Sequence, residues 1–459
     1  MNWNAVLAAM APENALLAGI VLLIGVDIVA SRPQRGFALA LLATGAATLA
    51  AAMLAASGYA AAPFAGQYSI NPASAAAKLV VLGLALPVLL IARDEAPGSR
   101  FYMLLLSSLY GVCLMLSSDS FLTLFLGLEI MSIPVYTLVV VGLRRPQSAE
   151  AGLKYLVLSG TASAMFLMGV SMLYGGSGSM SLSAFAVALN SGTTAASAGV
   201  VLIIAAFFLK AAVVPFHAWA PDAYEAASVP VTAYMATIVK AGALLAVVRL
   251  FAEAPVDRPV SDLIAILPLV SIVWGNLAAM RQTSFRRMIA YSSIAHAGYL
   301  FYAFLGDGPT RFQAVAFYIL AYGLMNLLAF ASLPRGDDRA RDDLEQLKGL
   351  FHRDPWAALM IGIAMLSLAG IPPFPGFVAK FLIFKNVIAA GWTTYAVLGL
   401  VGSYLGIYFY LRVIQFLFMS PAAADAGRGQ QRAAIAAGLL CLLPSMLLTV
   451  FPGWLITRL

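Results

Sequence analysis

The sequence predicts an all-α integral membrane protein, and two observations lead to that class. Hydrophobic residues make up 62% of the 459-residue chain, charged residues make up 10%, and the mean hydropathy is +0.91. Soluble domains contain roughly 45–50% apolar residues and about 25% charged residues. The apolar runs are about 17–25 residues long, as a helix requires to cross a hydrocarbon layer roughly 30 Å thick, whereas barrel strands would alternate over about ten residues.

The apolar runs predict fourteen spans. One stretch, 355–390, is too long for a single helix and contains Ile371-Pro372-Pro373-Phe374-Pro375-Gly376, so we interpret it as one broken helix. Segment 194–225 is expected to break in the same way around Pro215 and Pro221. The first apolar run lacks a preceding cationic segment and a small-residue cleavage site, so we expect a retained helix rather than a signal peptide. The predicted spans are 14–30, 36–56, 75–92, 101–117, 119–142, 148–174, 194–214, 229–250, 261–280, 288–306, 312–333, 355–390, 396–419 and 432–455.

The two predicted breaks indicate an internal repeat. Proline-interrupted spans at corresponding positions of two halves are typical of transporter units that meet at a site near the membrane midplane. The halves are predicted at 101–250 and 261–419, with N-terminal helices in 1–100 and a C-terminal helix in 432–459. Span order and break position support this repeat, because residue-level identity between the halves is weak. Two unrelated proline kinks are the alternative.

Positive charge predicts the orientation, since cytoplasmic loops carry an excess of Lys and Arg. If the N-terminus lies outside, the outer loops hold little more than Arg258, Arg311 and Arg458. The even number of spans then places both termini on the outer side. This bias explains the net charge of +7, so nucleic-acid binding is not indicated. The cationic residues of the inner loops are Arg32, Arg35, Arg93, Arg100, Arg144, Arg145, Arg281, Arg286, Arg287, Arg335, Arg339, Arg341, Lys348, Arg353, Arg428 and Arg432.

Four ionisable residues lie deep inside the apolar runs: Glu129, Lys210, Lys240 and Lys380. A charged side chain near the midplane costs roughly 2.5–3.5 kcal/mol on insertion scales, so these residues are candidates for transport. An amine in a low dielectric binds its proton more weakly, and a nearby carboxylate restores the binding. We therefore predict a switchable proton site at Glu129 and Lys210, from which Lys240 and then Lys380 pass the proton on. Structural lysines that are salt-bridged or reach the headgroups are the alternative.

Three further residues are secondary candidates. Lys154 lies a turn or two inside its span, where it either extends to the inner surface or acts as a relay. His217, beside the first break, and His296, in YSSIAHAGYL, are able to shuttle protons, although hydrogen-bonded packing histidines are more frequent. Asp222 and Glu225 either line an uptake route or are solvated. Hydroxyl residues expected to cap, pack or bind water between helices are Ser159, Thr161, Ser163, Ser292 and Ser293.

No cofactor site is predicted within the chain. The three histidines, His217, His296 and His352, have no second ligand at metal-binding spacing, and the chain contains neither a dinucleotide-binding GxGxxG motif after a strand nor a phosphate loop. Cys113 and Cys441 both fall in predicted spans, where we expect buried thiols. Any energy source is therefore expected in a partner subunit or an ion gradient.

Six segments carry a family resemblance: GLEIMSIPVYTLV, EAGLKYLVLSGTASAMFLMGVSMLYG, FFLKAAVVPFHAWAPDAYEAASVPVTAY, SFRRMIAYSSIAHAGY, MLSLAGIPPFPGFVAKFLIF and SYLGIYFYLRV. They resemble, in matching order from about residue 100 to 420, the antiporter-like membrane subunits of respiratory complex I. The chain is most similar to the N type of bacterial NADH–quinone oxidoreductase, the counterpart of subunit 2 in mitochondria and chloroplasts, because the M type typically has a glutamate where this chain has Lys380 and the L type is longer. It departs from the N pattern at EAASVPVT and around Lys240.

The resemblance implies a fold of about fourteen helices with two inverted five-helix repeats, each with a broken helix. It implies a proton channel in which Glu129 and Lys210 couple, Lys240 relays and Lys380 lies in the outlet half, and Lys154 matches a further functional lysine. NADH, FMN, iron–sulfur clusters and quinone would belong to other subunits. The expected partners are antiporter-like neighbours and small membrane subunits in a bacterial inner membrane.

The sequence thus predicts a proton-translocating membrane subunit of a redox-driven NADH–quinone oxidoreductase, with no redox site of its own. One alternative is a subunit of a multi-subunit cation/proton antiporter, in which the same buried groups exchange sodium or potassium for protons. A second is a subunit of a membrane-bound hydrogenase, and a third is a structural scaffold without an ion path.

Overall fold

The structure is a computed structural model that describes residues 3–29, 33–93, 95, 98–143, 145–251, 258–306, 308–334, 342–421 and 432–453. These residues are almost entirely helical, and the predicted all-α membrane class is confirmed. The helices are α1 Trp3–Ala9, α2 Ala11–Val29, α3 Pro33–Ala56, α4 Pro72–Ala92, α5 Ser99–Leu116, α6 Phe121–Leu143, α7 Pro146–Ser177, α8 Ser183–Leu189, α9 Thr194–Ala211, α10 Trp219–Ala226, α11 Val229–Tyr234, α12 Lys240–Leu250, α13 Arg258–Ala279, α14 Phe285–Tyr302, α15 Gly308–Ala331, α16 Leu350–Arg353, α17 Pro355–Ala369, α18 Pro375–Ala389, α19 Thr393–Met419 and α20 Arg432–Val450.

Thirteen helical segments among the described residues are long and apolar enough to cross a membrane. The remaining predicted span, 355–390, consists of the two halves α17 and α18, each of 15 residues and therefore too short to cross alone. Short 3₁₀ turns follow α14 at Ala303–Leu305 and precede α16 at Leu344–Leu347. Arg32, Arg144, Arg335, Arg339, Arg341, Arg428 and Arg458, used in the charge argument, lie outside the described residues.

The first predicted break is present but smaller than the sequence suggested. Helix α9 ends at Ala211 and α10 begins at Trp219, so the interruption contains Pro215. Pro221, however, lies in the first turn of α10. A proline in the first turn of a helix costs little stability, because a backbone N–H at that position has no hydrogen-bond partner within the helix.

A small antiparallel hairpin was not predicted. Strands β1 (Ala61–Phe64) and β2 (Tyr68–Ile70) pair with each other between α3 and α4. The hairpin continues onto the α5–α6 turn, where Ser69 N donates to Ser117 O at 2.9 Å and Asp119 N donates to Gln67 O at 3.0 Å. We call the end of the molecule that carries this hairpin the hairpin face.

The most enclosed span is the one that carries Lys240. Helices α11 and α12 are joined by a π-helical turn at Met235–Val239, and every residue of the most apolar window of the combined segment is buried. By contrast, 28% of the corresponding window in α2 is buried. A single π turn inside a helix is frequently found at functional sites. The centre of the bundle is therefore built around the Lys240 helix.

The first helix pair of each predicted half crosses at a glycine contact. A Cβ on Gly111 of α5 would lie 2.3 Å from Met131 N of α6, and a Cβ on Gly275 of α13 would lie 2.7 Å from Ala295 N of α14. Small residues permit this close approach, as is usual between membrane helices. The repeat boundaries at 101–250 and 261–419 remain a prediction.

Candidate functional site

Glu129 and Lys210 meet between α6 and α9. Lys210 Nζ lies 3.7 Å from Glu129 Oε1, too far for a hydrogen bond, while hydroxyl groups hold the amine directly. The amine donates to Ser159 Oγ at 2.6 Å and to Ser132 Oγ at 3.0 Å. Ser163 Oγ donates to Glu129 Oε1. The pair is thus charged but separated, and hydroxyl groups contact both of its members.

Helical spacing explains this arrangement. Glu129, Ser132 and Tyr136 of α6 follow the i, i+3, i+7 pattern, so they lie on one face of that helix. The hydroxyl of Tyr136 accepts from Lys210 Nζ at 3.5 Å. Lys210 is well buried, with 5% of its side chain exposed, whereas Glu129 is 24% exposed at the side of the bundle. Glu129 is therefore less deeply placed than the sequence predicted.

The first break places Lys210 at a helix end. Lys210 lies in the last turn of α9, where the helix dipole is negative and favours a cation. Ala212 adopts the left-handed conformation with φ 62° and ends the helix. Two backbone groups of the break region find side-chain partners, since Trp219 Nε1 donates to Leu209 O at 2.8 Å and Val214 N donates to Ser271 Oγ at 2.7 Å. Protein groups thus satisfy backbone that lipid could not.

Lys240 is held by α14. Its Nζ donates to Ser293 O at 2.5 Å and contacts Ser293 Oγ. The Ser293 hydroxyl also lies 3.3 Å from Tyr224 Oη. Lys240 therefore has hydrogen-bonding partners but forms no ion pair with any described carboxylate.

His296 lies between Lys240 and Lys380. Its ring nitrogens contact Tyr318 Oη at 2.7 Å and Tyr410 Oη at 3.2 Å, and it lies within electrostatic reach of both lysines. Tyr410 Oη is in turn 2.5 Å from Ser292 Oγ. The ring is buried, with 4% exposed. His296 thus has a hydrogen bond on each side, as a proton shuttle requires.

Lys380 contacts the end of the opposite half of its own broken helix. Its Nζ donates to Ala369 O, in the last turn of α17, at 2.9 Å and to Ser403 Oγ at 3.1 Å. The amine also lies 5.0 Å from the ring centroid of Tyr299, a cation–π distance. Gly370 follows with φ 83°, and a Cβ there would lie 2.9 Å from Lys380 Cδ.

Lys154 lies at the surface rather than with the buried lysines. Its side chain is 47% exposed and pairs with Glu150 at 2.8 Å and Asp222 at 2.9 Å. Asp222 also binds Arg287 at 3.0 Å, and Arg287 binds Glu225 at 2.7 Å. These acids and Lys154 line an open cavity of about 540 Å³. The structure therefore joins Lys154 to a charged surface network, and its role as a relay remains a prediction.

His217 lies apart from the other candidates. It accepts a hydrogen bond from Trp274 Nε1 at 3.1 Å, and Trp274 is 49% exposed. This contact is compatible with a packing histidine, and the role of His217 as a proton shuttle remains a prediction. Among the five hydroxyl residues singled out from the sequence, four contact the buried ionisable groups or their tyrosine partners, whereas Thr161 donates to Val157 O of its own helix at 3.0 Å.

The sequence analysis missed one charged pair. Glu13 and Lys78 lie 2.6 Å apart, and neither side chain is exposed. Both are near helix starts, and the predicted spans 14–30 and 75–92 excluded Glu13 and placed Lys78 at an edge, where a charge is expected to reach water. The available signal was a single charged residue in each of two mainly apolar segments, ENALLAGIV and SAAAKLVVLGL.

The part of the chain that the structure describes contains no candidate metal site and two free cysteines. No group of three or more His, Cys, Asp or Glu residues is arranged to hold a metal ion there. Cys113 and Cys441 are buried and free, as the sequence predicted.

Comparisons with known proteins agree with this architecture. A family model described as "NADH:quinone oxidoreductase/Mrp antiporter, TM" matches residues 118–406. A protein of Pelobacter propionicus named NADH-quinone oxidoreductase subunit N is 39% identical over 420 residues, covering 91% of this chain and 90% of the relative. A second relative with this name, from Laribacter hongkongensis, is 37% identical over 434 residues, covering 91% of this chain and 88% of that protein.

A solved structure agrees as well. A chain in respiratory complex I from Thermus thermophilus with bound aureothin superposes with a TM-score of 0.86 at 34% identity, covering 97% of this chain and 98% of that one. This likeness extends over the N-terminal helices as well as both predicted halves.

Proposed function

This chain belongs to the family of membrane subunits that NADH:quinone oxidoreductases and Mrp antiporters share, and we propose that it is the N-type, proton-translocating subunit of an NADH–quinone oxidoreductase. The observation that carries the proposal is a series of hydrogen-bonded titratable groups in the bundle, all of them buried except Glu129, which is partly exposed. It runs from Glu129 and Lys210 to Lys240, His296 and Lys380. Ionisable groups inside a membrane are costly, because lipid cannot supply such contacts, and a series of them marks an ion pathway.

In the proposed mechanism the first pair is the switch. Glu129 lies at the side of the bundle, and Lys210 is held by neutral hydroxyl groups 3.7 Å from it. When the carboxylate approaches the amine, the ammonium form is favoured, and when it withdraws, the amine releases its proton. Because the partners of Lys210 are neutral, the carboxylate is the charge that decides its protonation.

The later groups would carry the proton toward the second half. Tyr136 and Tyr224 are buried hydroxyl groups associated with Lys210 and Lys240, and internal water would complete the connection between these lysines. His296 then accepts a proton on one ring nitrogen and releases one from the other, toward Lys380. The charged cavity at Lys154 and Asp222 is the proposed uptake side.

The remaining assignments follow from this function. NADH, FMN, iron–sulfur clusters and quinone are bound by partner subunits, and this chain contributes the membrane transport step of the enzyme complex. The antiporter-like repeats comprise 101–250 and 261–419. The protein resides in a bacterial inner membrane beside other membrane subunits, with both termini on the outer side.

The central test removes the switch. Lys210→Ala and Glu129→Ala are each expected to lower proton pumping by the assembled complex in vesicles, while the amount of subunit in the membrane stays largely unchanged. Lys385→Ala is the control, since Lys385 is an exposed lysine on α18 that takes no part in the Glu129–Lys210 pair. Normal pumping by both switch variants, with assembly verified, would refute the assigned roles.

The cation/proton antiporter alternative is tested by the same preparation. Pumping by the proposed complex depends on NADH and quinone and proceeds without sodium or potassium in the vesicle lumen. An absolute requirement for either cation would favour the antiporter.

A further inference from the structure

A second buried charged cluster lies in the N-terminal helices, outside the proposed path. It consists of Glu13 in the first turn of α2, Lys78 in the second turn of α4 and Tyr68 in β2. The side chains of Glu13 and Lys78 are completely buried, and Tyr68 is 2% exposed. We call these three residues the N-terminal triad.

Hydrogen bonds join all three members of the triad. Lys78 Nζ lies 2.6 Å from Glu13 Oε1 and donates to Tyr68 Oη at 2.9 Å. Tyr68 Oη donates to Glu13 Oε1 at 3.0 Å, and Ala9 O, at 3.4 Å, is its other acceptor. Glu13 Oε2 has no hydrogen-bond partner among the described residues. The triad therefore contains a base, an acid and a hydroxyl relay in mutual contact, with one carboxylate oxygen free to bind a proton.

Stability alone does not account for this pair. Desolvating two charges costs several kcal/mol per ion, and replacing a buried pair with neutral side chains of similar volume is often neutral or stabilising. The residues one turn along the same helices, Leu16 and Val81, are apolar and fully buried. Neutral side chains of similar volume at the positions of Glu13 and Lys78 would avoid the cost of desolvating two charges.

Other titratable groups face the triad from the helices packed around it. Tyr110 and Cys113 of α5 lie within electrostatic reach of Glu13, and Cys113 also lies within reach of Lys78. Arg249 of α12 lies within electrostatic reach of Tyr68. Arg249 forms an ion pair with Asp119 at 2.9 Å, and Ser69, adjacent to Tyr68, donates to Asp119 at 2.7 Å.

A cavity on the hairpin face is lined by chain neighbours of the triad residues, although the triad side chains themselves are not in its lining. It has a volume of about 650 Å³, and its lining includes Asp119 and Arg249. Two residues of α4 also line the cavity: Ser74, one turn before Lys78, and Ala77, which immediately precedes Lys78. The backbone that carries the buried lysine thus forms part of the wall of a partly polar space.

We propose that the N-terminal triad is a second proton-binding site of this subunit, which exchanges protons with the hairpin face. In its resting state Lys78 is an ammonium and Glu13 a carboxylate. A shift of one proton from Lys78 Nζ to Tyr68 Oη, together with release of the Tyr68 hydroxyl proton to Glu13, gives a neutral amine and a carboxylic acid and leaves the tyrosine unchanged.

The triad then exchanges one proton with the cavity side. Uptake of a proton by the neutral amine gives an ammonium beside a carboxylic acid, and the triad gains one positive charge. Loss of the carboxyl proton restores the resting state. One proton is bound and one is released in each cycle, and no other reactant is needed.

The decisive variant is the neutral pair Glu13→Gln with Lys78→Met in the assembled complex. Because no buried charge is left unpaired, we expect normal assembly. We expect the dependence of pumping on the pH at the hairpin face to change, because a group that binds protons from that face is removed. Asp27→Asn is the matched control, since Asp27 lies on the same helix but pairs with Arg100, whose side chain is 84% exposed; this control should pump normally.

Two results would overturn the proposal. A neutral-pair variant that assembles and pumps normally at every pH would show that the triad carries no proton. A neutral-pair variant that fails to assemble, while Asp27→Asn assembles, would assign the triad a structural role instead. Tyr68→Phe provides an independent measure, because it keeps both charges and removes only the relay; it should alter the pH profile of pumping, and an unchanged profile would contradict the relay.

The inference rests on the proposed proton-translocating function, and the two are separable. Lys210→Ala measured in parallel reports on the main path. If Lys210→Ala abolishes pumping and the neutral pair leaves it unchanged, the triad proposal alone fails. If Lys210→Ala pumps normally, the proposed function itself fails.

Discussion

The two helix breaks hold their lysines in different ways. At the first, Lys210 lies 3.7 Å from a carboxylate that is itself 24% exposed. At the second, Lys380 contacts the Ala369 carbonyl, the Ser403 hydroxyl and the Tyr299 ring, and no described carboxylate forms an ion pair with it. Both amines are associated with the C-terminal end of a half-helix, where the dipole favours a cation.

We interpret this difference as that between a switch and a receiver. In the proposed function, movement of the Glu129 carboxylate controls the protonation of Lys210 from the side of the subunit. Lys380, whose hydrogen-bond partners are neutral, would instead respond to a proton that arrives through His296. The two breaks therefore place an amine at a helix end in the same way but differ in the groups around it, and four predictions test that contrast.

The largest effect is expected from Lys380→Met. The neighbouring carbonyl and hydroxyl groups are neutral and do not bind a proton at ordinary pH, so proton pumping should fall to the background level. Pumping is measured with a pH-sensitive dye in vesicles that contain the assembled complex. Unaltered coupling would instead indicate a half-channel that ends near Lys240, and the exposed Lys385→Met is the control.

A smaller loss is expected from Glu129→Gln. The amide keeps the size of the side chain and a partner for Ser163, while the hydroxyl groups of Ser132 and Ser159 still hold Lys210. Pumping should therefore decrease without disappearing, and the subunit should assemble. The same assay measures pumping by the Glu129→Gln variant. A loss as complete as that of Lys380→Met would show that Lys210 and Lys380 depend equally on charge.

A stability difference is expected between Gly370→Ala and Ala212→Gly. Both positions are left-handed, with φ 83° and 62°, but a Cβ at 370 would also lie 2.9 Å from Lys380 Cδ. An alanine at 370 should cost about 1–3 kcal/mol, whereas a glycine at 212 should change stability by less than about 1 kcal/mol. Thermal inactivation of the purified complex measures both, and similar midpoints for the two variants would contradict this account.

The smallest effect on pumping is expected from Lys154→Met. Lys154 is 47% exposed and paired at the surface, where ion pairs contribute little and are screened by salt. The variant should pump slightly more slowly, and the difference from the unaltered protein should shrink as ionic strength rises. A loss comparable to that of Lys210→Ala would make Lys154 a relay residue rather than part of a surface network.

Much of the candidate site was predictable because its signal is local. A charged residue surrounded by apolar neighbours on both sides is visible in the sequence, and Lys210, Lys240 and Lys380 are indeed buried. Prolines also located both breaks, at Pro215 and at Ile371-Pro372-Pro373-Phe374-Pro375-Gly376. Glu129 was predicted to be equally deep, but the sequence contains no information about which face of a helix borders the side of the bundle.

Other features depended on contacts between distant segments. Glu13 and Lys78 lie close to helix ends and resembled residues that reach water, as Lys154 does. Tyr68, on a hairpin that was not predicted, contacts Glu13 across 55 residues of sequence. The proximity of His296 to two lysines likewise arises from packing of the two halves.

The sequence by itself determined the membrane class, the spans, both breaks and the burial of Lys210, Lys240 and Lys380, three of the four ionisable residues that it predicted to lie deep in the bundle. The tertiary structure decided which partners those groups have and which additional charges are buried. The physical reason is that hydropathy is a sum over neighbouring residues, whereas the solvation of a charge depends on every helix that surrounds it. Residues separated by 50 or more positions supply that environment for both Lys210 and Glu13.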